Sequence, residues 1–330
     1  MRILAAVCIA FTHSFNLLGR NTDEPLMALT GQRYDFSFIG LCIFFSISGY
    51  LITRSACTST SFLNYCWKRF LRIQPLLIIV TLISIFIVGP VFTSLATGEY
   101  FSSTSTWTYL RNIFPATGVQ FTLPGVFTGH VDAGVNGSLW TLVIEERLYL
   151  LVSILFFLKG FAKRSFILMI WLINIFYMLH CTVFHHTLIG YFEKADFFFA
   201  LLFLNSGVLY LMGIPFDRST LKKLLIVFPV LLTALVFSQV FFLQILAIPF
   251  FVIGLAHLRG ITNRAGQQGD FTYGVYIFAF PVQQILIALG GTKNNPWLLF
   301  GETMLIVLPL AIISWHLIEK KFLEKKKLVR

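Results

Sequence analysis

The 330 residues carry 57 % hydrophobic and only 12 % charged side chains, with a mean hydropathy of +0.81. A soluble domain has about 45–50 % apolar and about 25 % charged residues, and 37 phenylalanines against 14 acidic side chains cannot cover a water-facing surface. A soluble enzyme, a disordered chain, a coiled coil and a secreted disulfide scaffold are excluded, which leaves a polytopic membrane protein. The net charge of +11 is not spread over a polar, patch-like surface, so it reads as membrane orientation and not as nucleic-acid binding.

A spanning helix needs about 20 apolar residues. In chain order, the candidate spans cover 2–18, 36–53, 71–95, 138–158, 166–185, 196–213, 222–238, 240–257, 271–290 and 297–318. Backbone polar groups in lipid must be paired within the segment, so these are helices. The first 18 residues have the outline of a signal peptide, but they lack a small-x-small cleavage site and carry His13; they read as a retained span. With the amino terminus cytoplasmic, 19 of the 25 Lys and Arg residues fall on the cytoplasmic face, five fall opposite, and Arg147 stays inside a span. That bias satisfies the positive-inside rule, and an odd number of spans would scramble it. The expectation is an all-α, polytopic membrane helix bundle of about ten transmembrane helices, one domain over 1–330 with both termini cytoplasmic.

The longest stretch between spans, 96–137, lies outside in this reading and is expected to be functional or disordered. The basic tail 320–330 suits anionic lipid headgroups. The five cysteines (Cys8, Cys42, Cys57, Cys66, Cys181) are odd in number and form no CxxC pair, so neither a metal knot nor a disulfide framework is indicated.

Ionisable residues inside spans cost about 2.5–3.5 kcal/mol on insertion scales and therefore mark function by default. Arg2 and His13 lie eleven residues apart, roughly 16 Å along a helix with an angular offset of about 20°. One helix face thus carries a cation at the rim and an imidazole deep inside, fit to take a proton near neutral pH. Lys68, Arg69 and Arg72 precede Pro75; the two arginines share a face and suit bidentate phosphate binding, although on these residues alone snorkelling and membrane orientation are the slightly better reading. Glu145, Glu146 and Arg147 sit about two turns into an apolar helix that begins near Ser138 and Trp140 and places Tyr149 on the face of Glu145. A secondary transporter would also place carboxylates there, as proton relays. Ser46, Ser48 and Gly49 read as a close helix contact. His130 and Asp132 are candidates to touch an acceptor, and His180, His185 and His186 cluster without the further ligands a metal needs.

These groups, in this order, resemble the membrane acyltransferase 3 family. Arg2 to His13 is similar to its arginine, ten residues, histidine pattern. Ile43–Ile52 looks like its second-helix signature, and Lys68-Arg69-Phe-Leu-Arg72 like its arginine-x-x-arginine motif. Ser138-Leu-Trp140 through Glu145 to Tyr149 is similar to its serine–tryptophan–glutamate motif. Thr272-Tyr273-Gly-Val-Tyr276 and Ser314-Trp-His-Leu-Ile-Glu319 resemble its last two helices. Two departures stand out: Ala279 replaces a histidine common in the family, and Arg2 directly follows the initiator. The hydrolase-like domain fused to some members is not expected here.

The resemblance implies an inner-membrane O-acyltransferase of bacterial surface polysaccharides such as O-antigen, capsule or exopolysaccharide, or of a lipid-linked precursor. It implies acyl-coenzyme A as donor, acetyl being the expected group, and no metal. His13 and Glu145 would be catalytic; Arg2, Arg69 and Arg72 would hold the donor's phosphates. Ser138, Trp140, Glu146 and Tyr149 would line the acceptor's path. The rival readings are a secondary transporter or exporter coupled through Glu145, Glu146 and Arg147, and a flippase-like partner without chemistry.

Overall fold

The computed structural model describes residues 1–157, 162–182, 195–214, 216, 241–257, 269–290 and 294–327. Among them, helices alternate with turns, and the one extended pairing is an isolated antiparallel bridge between Thr93 and Val126. In chain order the helices are α1 (Arg2–Asn16), α2 (Pro25–Leu29), α3 (Phe36–Thr58), α4 (Phe62–Ile83, running on through a π turn at Ser84–Val88 to Phe92), α5 (Thr97–Ser102), α6 (Thr104–Thr108) and α7 (Leu139–Ser153). They continue with α8 (Ala162–Thr182), α9 (Ala195–Met212), α10 (Phe241–His257), α11 (Thr272–Ala288) and α12 (Pro296–Ser314, running on through a second π turn to Glu324). Three segments are long and apolar enough to cross a bilayer: Phe36–Thr58, Phe62–Phe92 and Pro296–Glu324. The expected spans starting at 2, 138, 166, 196, 240 and 271 coincide with shorter apolar helices, while 222–238, His185 and His186 lie outside the described residues.

The chain divides into two compact units. One comprises Leu41–Tyr65 and Arg147–Gln267. Its core is aliphatic and aromatic, with Leu201, Leu202 and Phe203 of α9 fully buried. Gly49 of α3 permits the close approach here, since a Cβ would stand 2.0 Å from the Phe203 carbonyl oxygen. A reciprocal amide pair, Asn174–Asn205 at 2.7 and 3.0 Å, links α8 to α9, and Asn205 Nδ2 also donates to the Ile245 carbonyl of α10 at 3.1 Å. Such pairs join helices where apolar contact alone gives little driving force.

The other unit comprises Arg2–Gly40, Cys66–Glu146 and Gln268–Arg330. The stretch expected to be functional or disordered is folded: Tyr100, Tyr109, Leu123, Val126, Phe127 and Val135 bury a small core with Ile85 and Val88 of the π turn, and Tyr100 Oη donates to the Ile85 carbonyl at 2.9 Å. Aromatic burial in short helices and 3-10 turns thus supplies what polar composition concealed.

Candidate functional site

Helix α11 is the spine of the site. Tyr273 Oη donates to the Ile73 carbonyl of α4 at 3.0 Å. One turn on, Tyr276 Oη donates to the Ser138 carbonyl at 2.7 Å and also meets the Thr141 hydroxyl, fixing the start of α7. Two turns further, Gln283 Nε2 reaches α1, donating to the Ala10 carbonyl at 2.8 Å and to Ser14 Oγ at 2.7 Å. Gln284 holds the preceding loop: its Nε2 donates to the Asp132 and Gly134 carbonyls at 2.6 Å, and its Oε1 meets His130 Nδ1 at 2.8 Å. On the opposite side a Cβ at Gly274 would lie 2.9 Å from Ala311 Cα and Cβ, so glycine is what lets α12 pack there. The Tyr-Gly-x-Tyr spacing therefore encodes two hydrogen bonds and one close helix contact.

Arg2 and His13 both lie on α1, as their spacing required. The His13 ring, half-buried, meets Phe280 of α11 edge-on at 5.2 Å between centroids. It is thus Phe280, next to the departure at Ala279, that faces the imidazole. Two fully buried polar atoms beside this region, Gln283 Oε1 and Ser138 Oγ, have no partner among the described residues. An unmet buried acceptor costs about 1–3 kcal/mol, so these atoms suit a polar ligand.

At the far end of α1 stands a cation pole. Arg2 Nη1 and Arg72 Nη2 donate to the same oxygen, Asp270 Oδ2, at 3.3 and 2.6 Å. Arg72 Nη1 also lies 3.7 Å from Glu319 Oε2, and Glu319 Oε1 accepts from Ser314 at 3.2 Å. Burial pushes the Asp270 carboxyl up, but Arg72 and then Arg2 outweigh it and hold it down at about 2. Arg69 lies one turn before Arg72 on α4, half-buried. Sequence reasoning missed Asp270, although it is the sole acid between Asp217 and Glu302 and immediately precedes the α11 motif.

Glu145 is buried, 4 % exposed, on α7. Glu146 is half-buried and accepts from Gln74 Nε2 at 2.6 Å and the Ala116 N–H at 2.8 Å. Both of these partners are amides, and Arg147 is exposed, so the triplet is not one buried charge cluster. Ser138 is buried and Trp140 half-buried at the head of α7. Tyr149 falls in the other unit, where its carbonyl accepts from Tyr65 Oη at 2.9 Å and its ring lies against Phe203. Glu24 was also missed. Fully buried, it caps α2 through the Leu26 and Met27 N–H groups and accepts from Phe36 N at 2.8 Å and Thr12 Oγ1 at 3.2 Å, bracing the residue next to His13. His180 is buried on α8, and no group of three metal-ligating side chains gathers among the described residues.

Fold and site together define a helical membrane protein with a guanidinium pole at the start of α1 and an imidazole further along the same helix. The family model described as an acyltransferase domain, acyltransferase 3, matches residues 1–316, and the chain belongs to this family. It is 29 % identical to an O-acetyl transferase of Shigella phage Sf6, over 98 % of this chain and 95 % of that protein. It is 26 % identical to Nodulation protein 10 of Rhizobium leguminosarum bv. viciae, over 97 % of this chain and 91 % of the relative. No solved structure gives a significant match.

Proposed function

We propose that the chain is a multi-pass inner-membrane O-acyltransferase with both termini cytoplasmic. It moves an acyl group, acetyl by expectation, from acyl-coenzyme A to a hydroxyl of a bacterial surface polysaccharide or its lipid-linked precursor. The observation that carries this reading is that α1 bears Arg2 in the guanidinium pole around Asp270 and His13 against Phe280. Their separation of roughly 16 Å along the axis suits a long donor gripped at one end and reacting at the other.

Arg2, Arg69 and Arg72 bind the donor's phosphates, with Asp270 holding two of the guanidiniums oriented. The thioester extends along α1 toward His13. A neutral imidazole nitrogen of His13 takes the proton of the acceptor hydroxyl as its oxygen attacks the thioester carbonyl. The carbon–sulfur bond breaks, and the coenzyme thiolate leaves with the proton from the imidazolium. Glu145 orients the reacting groups, and the head of α7, with Ser138, Trp140 and Glu146, receives the acceptor. The transporter reading has less support, since Glu146 is engaged by amides and Arg147 is exposed.

The test is acetyl content of surface polysaccharide, read by proton NMR, in cells with and without this chain, alongside transfer from labelled acetyl-coenzyme A by isolated membranes. Acetyl signals that depend on the chain and on His13 support the reading; identical spectra and no label transfer sink it.

A further inference from the structure

The Gln283 amide is anchored at one end and open at the other. Its Nε2 spends both hydrogens on α1, one on the Ala10 carbonyl at 2.8 Å and one on Ser14 Oγ at 2.7 Å. Ser14 Oγ gives its own hydrogen to the Ala10 carbonyl at 3.0 Å, which closes the network. A carbonyl only accepts, so the amide is fixed with its nitrogen toward Ala10 and Oε1 turned away. Gln283 and Ser14 are fully buried, and Oε1 meets no donor among the described residues. Ala10, His13 and Ser14 share one face of α1, and Phe280 and Gln283, three apart, share one face of α11. The two faces meet: His13 lies edge-on to Phe280, and Gln283 grips the residues before and after His13. The α11 face is held rigid. Pro281 leaves the Ile277 carbonyl without its helical partner, and Asn136 Nδ2 donates to that carbonyl at 3.0 Å. Phe280 is walled in by the chain ahead of α7, where a Cβ on Gly137 would stand 2.4 Å from its ring. Among the described residues Asp132 is the charged group that bears on His13, and α11 itself carries no charge. Of the two unmet atoms, Ser138 Oγ stands at the head of α7, whereas Gln283 Oε1 is sealed between α11 and α1 on the face that carries the imidazole.

We propose that Gln283 is a positioning residue for His13: its Oε1 accepts the N–H of the imidazole nitrogen turned away from the acceptor hydroxyl. The inference rests on the acyl-transfer reading above. A neutral imidazole has one N–H and one lone pair, and the partner of the N–H decides which nitrogen is the base. An amide oxygen makes that choice without adding charge. The hydroxyl proton moves to the lone-pair nitrogen while the other N–H stays on Gln283. The imidazolium then gives the transferred proton to the coenzyme thiolate, so nothing is gained or lost at the amide. Contacts of this kind commonly tighten once substrate is bound.

The full chain is purified in detergent and assayed with acetyl-coenzyme A and with surface polysaccharide taken from cells that lack this chain. Gln283→Leu removes Oε1 and should lower kcat roughly tenfold to a hundredfold, with little change in KM for either substrate. Gln283→Glu keeps an oxygen there but adds a negative charge, which favours the imidazolium; the acid limb of its kcat/KM profile should move up by about one pH unit. Ser14→Ala removes a bracing contact and leaves Oε1, so it should lower the melting temperature while kcat stays near wild type. Wild-type kcat in Gln283→Leu overturns the proposal, as does an acid limb unmoved in Gln283→Glu. A loss of kcat in Ser14→Ala as large as in Gln283→Leu overturns it by reducing Gln283 to a brace. A raised KM for the polysaccharide with kcat intact in Gln283→Leu overturns it by giving Oε1 to the acceptor. If Gln283→Leu does not fold, the Gln283→Glu profile decides. A wild type that transfers nothing from acetyl-coenzyme A overturns the acyl-transfer reading itself, whereas normal wild-type turnover with an indifferent Gln283→Leu removes Gln283 alone.

Discussion

Arg72 donates to Asp270 at 2.6 Å across 198 residues of sequence, and the oxygen it uses is the one that Arg2 also reaches. A single carboxylate thus ties the first residues of α1, the middle of α4 and the start of α11. Asp270→Asn leaves two guanidiniums without that charge and should lower stability by about 1–2 kcal/mol, the partial exposure of the group moderating the loss. Because the folded carboxyl is held down at about 2, its contribution is complete above about pH 4, the unfolded value, and is lost as pH falls from there toward 2. Thermal unfolding in detergent across that acid range checks it: Asp270→Asn should be less stable than the wild type at neutral pH and should converge with it in acid.

His13→Ala should abolish acyl transfer, a fall of at least about 10²–10⁴ for loss of a general base, while expression, membrane insertion and melting temperature stay near wild type. Single-turnover transfer of labelled acetyl to the acceptor is the measurement, and retained turnover would remove His13 from the chemistry.

Arg69→Ala should raise KM for acyl-coenzyme A by about tenfold or more with a smaller effect on kcat, because its charge acts on binding. Initial-rate kinetics over donor concentration decides it; an unchanged KM would leave the pair with a role in orientation alone.

Gly274→Val puts branched carbon where a Cβ alone would already lie 2.9 Å from the Ala311 backbone. The contact between α11 and α12 must open, at a cost of about 1–3 kcal/mol. A lowered melting temperature, with acyl transfer reduced because Tyr273 and Tyr276 shift with the helix, is the expected outcome.

Glu24→Ala removes the acceptor of three backbone N–H groups and the Thr12 hydroxyl in a fully buried place. Leaving those donors unmet should cost about 2–4 kcal/mol. The same variant should reduce kcat through misplacement of His13, read by comparing melting and turnover with those of Glu24→Gln, which keeps one acceptor oxygen.

Membrane residence, helical class and the placement of Arg2 and His13 on one helix face were determined by the sequence alone. Each follows from a local property: an apolar run longer than a bilayer needs, or a residue spacing read against 3.6 residues per turn. The close contact at Gly49 was legible for the same reason, since a small side chain permits approach whatever its neighbour. Only the tertiary structure decided which charges meet. Asp270 carries no periodic signal, and its arginine partners lie on elements far away in the chain. Likewise the Glu145–Arg147 triplet looked like one buried cluster until helix rotation left Glu145 buried, Glu146 among amides and Arg147 exposed. Spacing along a helix sets angles within that helix, but the pairing of charges depends on how helices pack against one another, and packing is a property of whole surfaces.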